Sequence, residues 1–425
     1  MSVKTNPESH TRPAKFEHRK AVIVRAAVGV INRKGVRSMT LADVAGELKL
    51  VPTAVNYYFR RKEDLAAACF LQSIAHYGAL LDRSDLETTA EASLRSFLHA
   101  FADHLAAVDT GQAEPVAAFN DVRTIGDAAV NAAYTDMFRR IRRMFDAKAV
   151  GEPVRLQRNA RTHLLISQVF WAVLWLRQYD PADYRRMIDR LFDILVNGLT
   201  APGATWAPVE LPRTEQPVET AGGSREAFLR AATEMINEHG YLGASVSRIS
   251  ARLNVTKGSF YHHNEAKDDL VEQCFDRTLE IMRMSQVAAD ACTTTGFDNL
   301  ASLAASMVRY DVSGEAPLLR TSALTAVPEE MQAQLVRRFE RVSARLASVV
   351  SDGVADGSIR PVDANVAAQT LTALINASAE LHHFSPGVDA ASAVEVYVRP
   401  LFMGLFRAGQ AVDEAHSPRR AASAR

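Results

Sequence analysis

The sequence predicts an all-α protein made of two tandem units, each an N-terminal three-helix helix-turn-helix domain followed by a larger helical domain. The first observation behind this is an internal repeat. Residues 25–70 align without a gap on residues 230–275, 205 positions further on, with twelve identities over 46 residues. These are Arg25/Arg230, Ala26/Ala231, Ala27/Ala232, Ile31/Ile236, Asn32/Asn237, Gly35/Gly240, Leu48/Leu253, Lys62/Lys267, Asp64/Asp269, Leu65/Leu270, Cys69/Cys274 and Phe70/Phe275. A register kept over so many positions marks a duplicated structural unit. The second observation is composition: long Ala/Leu/Val/Arg stretches, with few clustered β-branched residues, favour helix throughout.

Within the first copy, Ile23, Ala27, Val30 and Ile31 recur at helical spacing, and Gly35 is placed to end that helix at a C′ position. Thr40 then precedes the stripe Leu41, Val44, Ala45 and Leu48, with Asp43 as an acidic first-turn partner to the cap. The second copy has Ser245 before Val246, Ile249, Ser250 and Leu253. A tight turn follows at Lys49-Leu50 or Asn254-Val255, where Asn tolerates a left-handed backbone. The next short helix opens with Pro52, an allowed early-helix proline, or with Thr256 as a cap. It has one apolar anchor, Val55 or Phe260, and its other faces are polar and aromatic. Such a helix on a small core suits the major groove of DNA better than a protein interior. Lys62 and Lys267 begin the following helix, where a cation opposes the macrodipole unless an anion such as a phosphate is near.

The chain has 425 residues, 48% hydrophobic and 7% aromatic, which fits two to four soluble globular domains. Net charge is zero, yet residues 1–62 hold 13 Lys and Arg against 4 Asp and Glu, while residues 225–267 hold 6 against 4. The first module therefore has the stronger electrostatic footprint for phosphates. The three cysteines, Cys69, Cys274 and Cys292, have no metal-binding or disulfide spacing. With a polar N-terminus and no apolar run long enough to span a bilayer, a soluble cytoplasmic protein is expected. Residues 4–20 read either as part of the phosphate-attracting face or as a basic arm with no role.

Residues 200–224 contain four prolines and three glycines without apolar periodicity, and read as a linker. Extended at about 3.3 Å per residue it spans roughly 80 Å, more than the ~35 Å between half-sites one DNA turn apart. The expected domains are 1–66 (helix-turn-helix), 67–200 (helical effector or dimerisation domain), 201–224 (linker), 225–271 (second helix-turn-helix), 272–410 (second helical domain) and 411–425 (disordered tail). The unit ends also look alike: residues 190–199 resemble 399–409, with Leu191/Leu401 and Phe192/Phe402 related by 210 positions.

Both modules resemble the TetR/AcrR family of bacterial transcriptional regulators, whose motif is Tyr-x-His-Phe-x-x-Lys-x-x-Leu. The first copy reads Asn56-Tyr57-Tyr58-Phe59-Arg60-Arg61-Lys62-Glu63-Asp64-Leu65, with Asn56 in place of the usual Tyr. The second reads Tyr261-His262-His263-Asn264-Glu265-Ala266-Lys267-Asp268-Asp269-Leu270, with Asn264 in place of Phe. The resemblance implies DNA contacts from Thr40, Pro52, Thr53, Asn56, Tyr57, Tyr58 and Lys62, and from Ser245, Lys257, Gly258, Ser259, Tyr261, His262, His263 and Lys267. Thr40, Ser245 and the two lysines would hold phosphates; residues 53–57 and 258–262 would face bases. For Tyr58 and His263 a packing or capping role is the plainer alternative.

In the back ends, Phe170, Trp171, Trp175 and Tyr179 lie on one predicted helix. Packing at a subunit or repeat interface is the favoured reading. The sharper one is an effector pocket including Phe119, Tyr134 and Phe138, with Phe170, Trp171 and Trp175. The second back end offers Met307, Tyr310 and His382. His382 and His383 are expected on different helix faces, and neither a metal nor a cofactor is expected. The Arg139–Arg143 run reads as a solvated face more readily than as an anion site.

The expected function is a one-component, ligand-responsive regulator, a repressor by resemblance. Its partners would be double-stranded operator DNA and an unknown small-molecule effector. It would work as a homodimer or as an intramolecular pseudo-dimer, and without a membrane. In the alternative, only the first copy reads DNA and the second serves dimerisation or sensing. An enzyme is not expected, since no nucleophile elbow, phosphate loop or glycine fingerprint is present.

Overall fold

Side-chain caps and left-handed turns mark where the helices of each reading domain begin and end. The computed structural model describes residues 11–119, 122, 125–146, 155–212, 225–254, 267–314, 317–320, 323, 327 and 329–407. Among these the regular structure is helical, apart from one isolated bridge between Thr200 and Ile359.

In the first unit, α1 (Thr11–Ser38) is interrupted at Gly35, whose φ of 72° lies where a Cβ is unfavourable. α2 (Leu41–Glu47) is capped by Thr40, whose Oγ1 accepts from the Asp43 N–H while the Asp43 carboxylate accepts from the Thr40 N–H. Lys49 then takes φ 53°, and α3 (Pro52–Asn56) starts on its proline. α4 (Lys62–Ser84), α5 (Ala90–Asp109), α6 (Ala128–Arg142), α7 (Arg155–Trp175) and α8 (Tyr184–Asn197) complete the unit. α1 begins about three turns before the apolar stripe at Ile23, and Phe16 on this extension packs on the reading domain. Residues 11–20 are therefore helix rather than an unstructured arm.

The second unit repeats the plan with α9 (Arg225–Gly243), α10 (Val246–Arg252), α11 (Lys267–Cys292), α12 (Gly296–Ser313), α13 (Glu329–Ala355), α14 (Ala364–Ala377), a single turn α15 (Leu381–Phe384) and α16 (residues 390–403). Asn254 takes φ 55° where Lys49 does so in the first unit. Thr89 and Thr295 cap α5 and α12 alike. A π turn at Val394–Val398 precedes Pro400 in α16. Proline has no N–H to give to an i−4 carbonyl, and a local change of helical pitch accommodates that.

The two units pack on each other through α7 and α8 of the first and α14 and α16 of the second. Leu164, Leu165, Ile188, Leu191 and Leu195 are fully buried there, as are Leu371, Leu374, Tyr397, Leu401 and Phe402. Trp171 Nε1 donates to Gln369 Oε1 (2.8 Å), Gln168 Nε2 to the Thr370 carbonyl (3.1 Å), and Arg190 pairs with Asp363. At the helix ends each unit donates to the other: the Leu199 N–H donates to the Phe402 carbonyl and the Leu405 N–H to the Leu195 carbonyl, both at 2.8 Å. Gly198 and Gly404, with φ of 72° and 102°, let these backbones meet; a Cβ on either would run into the opposite chain segment's carbonyl. Reciprocal contact of like elements is the mark of an isologous interface. The pairing relates Gly198 to Gly404, 206 positions apart, so the offset of 210 inferred from the sequence places the unit ends in the wrong register.

The first part of the segment read as a linker, residues 200–211, is fastened to the second unit. Thr200 Oγ1 donates to the Phe402 carbonyl (2.7 Å), Trp206 packs at a tilt 5.4 Å from Phe402 and donates to Glu395, and Leu211 is buried. Residues 213–224 and the tail 411–425 lie outside the described residues. Among the described residues no helix is long and apolar enough to cross a membrane.

Candidate nucleic-acid interface

A small buried core fixes the reading domain of the first unit. Val55, the single apolar anchor of α3, is fully buried among Ile23, Ala27, Val44 and Leu65. With Val55 pointing inward, Pro52, Thr53, Asn56 and Tyr57 are left exposed, and Tyr57 is 75% accessible. Thr40 is also exposed at the start of α2. Two ion pairs, Arg33–Glu47 and Lys34–Asp43, brace α2 against α1. The Lys34 ammonium, with Thr40, holds the Asp43 carboxyl below the usual carboxylate range.

The aromatic residues that follow α3 form a cluster with α1. Phe16 lies 4.8 Å from Tyr58 and 6.0 Å from Tyr57, and the two tyrosines meet edge to face at 5.1 Å. Tyr58 is half-buried, in keeping with the packing alternative. Phe16 is the residue that sequence reasoning missed. Its spacing of seven from Ile23 was the available signal, obscured by the polar residues around it.

Lys62 stands where the motif puts it, but its ammonium donates to the Arg37 carbonyl at 2.7 Å. Carbonyls at a helix end have no intrahelical partner, so this bond ties the start of α4 to the end of α1. The phosphate role expected of Lys62 would have to share the lysine with that bond.

In the second unit, Ser245 caps α10 by accepting from the Arg248 N–H, and Ile249 and Ser250 are buried as the stripe requires. Lys257, Gly258, Ser259, Tyr261, His262 and His263, with the anchor Phe260, lie outside the described residues, as does the Lys267 side chain.

Several repeated identities join the reading domain to the back end. Asn32 Nδ2 donates to the Val116 carbonyl (2.9 Å), and the Ala118 N–H donates to Asn32 Oδ1 (2.8 Å). Asn237 holds Leu318 and Arg320 in the same way, at 2.7 and 3.1 Å. Cys69 and Cys274 both donate to carbonyls of the unit's first helix, Val24 and Leu229, and burial pushes both thiols up to about 12.

The proposed effector residues divide. Phe119, Tyr134 and Phe170 meet, joined by Tyr77: Phe119 lies 5.6 Å from Tyr134, 5.2 Å from Phe170 and 5.4 Å from Tyr77. Phe138 instead stacks on Phe384 of the second unit at 5.2 Å, and Trp171 sits at the contact between units. Trp175 is buried against Tyr179, away from that cluster. Met307 is fully buried in α12, Tyr310 is half-buried, and His382 is exposed. The His382 and His383 rings lie side by side at 3.8 Å, not on opposite faces, because α15 is a single turn. Of the arginine run, Arg140 reaches Asp82, Asp85 and the Gly78 carbonyl on α4, so it braces rather than waits for an anion.

Comparison with known proteins agrees with this geometry. The model of bacterial regulatory proteins of the tetR family matches residues 23–69 and 228–274, the two reading domains. The chain is 23% identical over 141 residues to the Transposon Tn10 TetC protein of Escherichia coli, covering 33% of this chain and 71% of that one. It is 24% identical over 139 residues to the HTH-type transcriptional repressor DhaR of Mycobacterium sp. (strain GP1), covering 32% and 70%. Among solved structures, the TetR family regulator PfmR of Thermus thermophilus superposes with a TM-score of 0.36 at 19% identity, covering 43% of this chain and 99% of that one. Two matched regions, each opening a helical unit with a capped α2 or its counterpart and a left-handed turn, show that this chain carries the DNA-reading domain of the tetR family of bacterial regulatory proteins twice.

Proposed function

We propose that the chain is a one-component repressor that offers two DNA-reading heads from a single polypeptide, as an intramolecular pseudo-dimer. The observation that carries this is the reciprocal contact of α7–α8 with α14–α16, in which Gly198 approaches the Phe402 carbonyl and Gly404 the Val196 carbonyl. Dimeric helix-turn-helix proteins place two heads about one DNA turn apart, and here the bracing element is built within one chain. Thr53, Asn56 and Tyr57 would face bases, and Thr40 and the surrounding cations would hold phosphates.

The effector would enter the back end of the first unit at the aromatic cluster of Tyr77, Phe119, Tyr134 and Phe170. Phe119 belongs to the same loop whose Val116 and Ala118 are held by Asn32 on α1. A ligand displacing Phe119 would therefore pull on the reading domain directly, which supports a coupling of ligand to operator affinity. Occupying the operator against polymerase would give repression.

The weaker charge excess of the second copy favours a second reading, in which only the first copy touches DNA. Selection of bound duplexes from a random library by the full chain, followed by footprinting, separates the two. Two half-sites about a turn apart, with one lost on Tyr261→Ala, are expected. A single half-site indifferent to Tyr261→Ala would favour the second reading, and no enrichment would refute both.

A further inference from the structure

Arg161 is an arginine whose charge has nowhere to go within the described residues. It sits on α7, only 3% exposed, and its Nη2 donates to the Arg407 carbonyl at 2.8 Å. Its Nε and Nη1 have no hydrogen-bond partner among the described residues. Desolvation, with the nearby Arg399 cation, pulls the guanidinium down to about 10. An uncompensated buried charge is costly, and native interiors normally pair it.

Arg161 opens onto a cleft lined by Glu395, Arg399, Pro400, Met403, Gly404 and Arg407. Arg399 is mostly buried, and its Nε lacks a hydrogen-bond acceptor, its nearest carboxylate oxygen on Glu395 standing at 3.8 Å. One Glu395 oxygen already accepts from Trp206 Nε1 at 2.8 Å. Among the described residues three guanidinium groups face one carboxylate, an excess of two positive charges, with Arg407 at the exposed edge of the cleft. A carboxylate would cancel one of them, whereas a phosphate monoester carries about −1.5 to −2 near pH 7 and offers three acceptor oxygens.

The cleft belongs to one side of the contact between units only. At the 206-residue offset that relates Gly198 to Gly404, Arg161 corresponds to Ala367, Arg399 to Asp193 and Arg407 to Ala201. Asp193 is paired with Arg360, so the counterpart of Arg399 is a carboxylate that already has a protein partner. Two identical subunits would carry two copies of such a site; a duplicated chain is free to keep one.

We infer that this cleft is a single binding site for a phosphate group, on a small phosphomonoester or as free phosphate, bridging α7 of the first unit to α16 of the second through Arg161, Arg399 and Arg407. The donors come from both sides of the contact, so an occupied site locks the two units together. It is separate from the aromatic cluster and from the reading face.

The test is calorimetric titration of the full chain with inorganic phosphate at constant ionic strength, chloride being the balancing ion. The wild type is expected to bind one phosphate per chain, with acetate binding far more weakly. Arg161→Met and Arg399→Gln should each weaken phosphate about tenfold or more, while Arg19→Ala on α1 leaves it unchanged. Arg161→Met is also expected to melt no lower than wild type without phosphate, because a buried unpaired charge has been removed. If Arg161→Met does not fold, Arg399→Gln at the rim carries the test. Absence of binding, equal affinity for acetate, or phosphate affinity unchanged in Arg399→Gln would overturn the proposal. A bis-phosphorylated sugar and glycerol phosphate, added in separate titrations, distinguish free phosphate from an esterified one.

Discussion

The amide of Asn32 meets two backbone groups at once, the Val116 carbonyl as donor and the Ala118 N–H as acceptor. Replacing it with Ala removes both bonds and leaves two loop groups without protein partners. Asn32→Ala should destabilise the chain by about 1–3 kcal/mol, read from urea unfolding, and Asn237→Ala should act similarly through Leu318 and Arg320. An Asn32→Ala midpoint equal to wild type would show that the loop is held by other means. The reading face makes the opposite prediction. Asn56 and Tyr57 are exposed, so Asn56→Ala should leave stability within about 0.5 kcal/mol and weaken operator binding about tenfold. Gel-shift titration beside thermal melting separates the two effects. At this scale the sequence was legible in part. The identities at Asn32, Cys69 and Leu65 were visible as a repeat, but the roles of Asn32 and Cys69 depend on partners about 40 to 90 residues away, which no local pattern announces. Lys62 could be placed by motif, but its bond to the Arg37 carbonyl depends on how α1 ends.

Elements whose ends are set by local chemistry were the most readable. Thr40, Ser245, Pro52 and Gly35 all act where their stereochemistry predicts, and the turn after α2 is left-handed in both units. α16 was not readable, because its π turn and internal Pro400 break helical periodicity and shift the apparent repeat. The close approach it makes needs glycine at 198 and 404. Gly198→Ala should therefore cost more stability than Gly111→Ala, whose added methyl meets nothing within 4 Å although its φ of 73° is equally strained. Equal losses would mean that φ alone, and not the approach to Phe402, sets the requirement. α12 carries a pH signature. Burial pushes the Asp311 carboxyl up to about 6, against hydrogen bonds from Ser378 and the Leu318 N–H that act the other way. A folded-state pKa above the ordinary 3.8 means the folded form holds the proton more tightly. That contribution is fully stabilising below about pH 4 and is lost as pH rises through about 6. Asp311→Asn should flatten unfolding free energy across that window; a slope unchanged from wild type would remove Asp311 as its source.

On the scale of the whole molecule, duplication within one chain changes what the fold can do. Two identical subunits must present identical reading heads and identical sides of their contact. Here the heads already differ, with Asn56 facing Tyr261 in the alignment, and the two sides of the contact differ at Arg161 and Ala367. An asymmetric operator and a single phosphate site are the natural consequences of the proposed arrangement. The strap of residues 200–211 across the second unit shows why the composition misled: its prolines and glycines suit a linker, but Trp206 and Leu211 anchor it. The central claim is that one chain supplies both heads, and the stoichiometry of the operator complex tests it most directly. Sedimentation of the full chain with a selected duplex should give one chain per duplex, with protection of two half-sites about a turn apart. Two chains on that duplex, each protecting one half-site through its first copy, would contradict it.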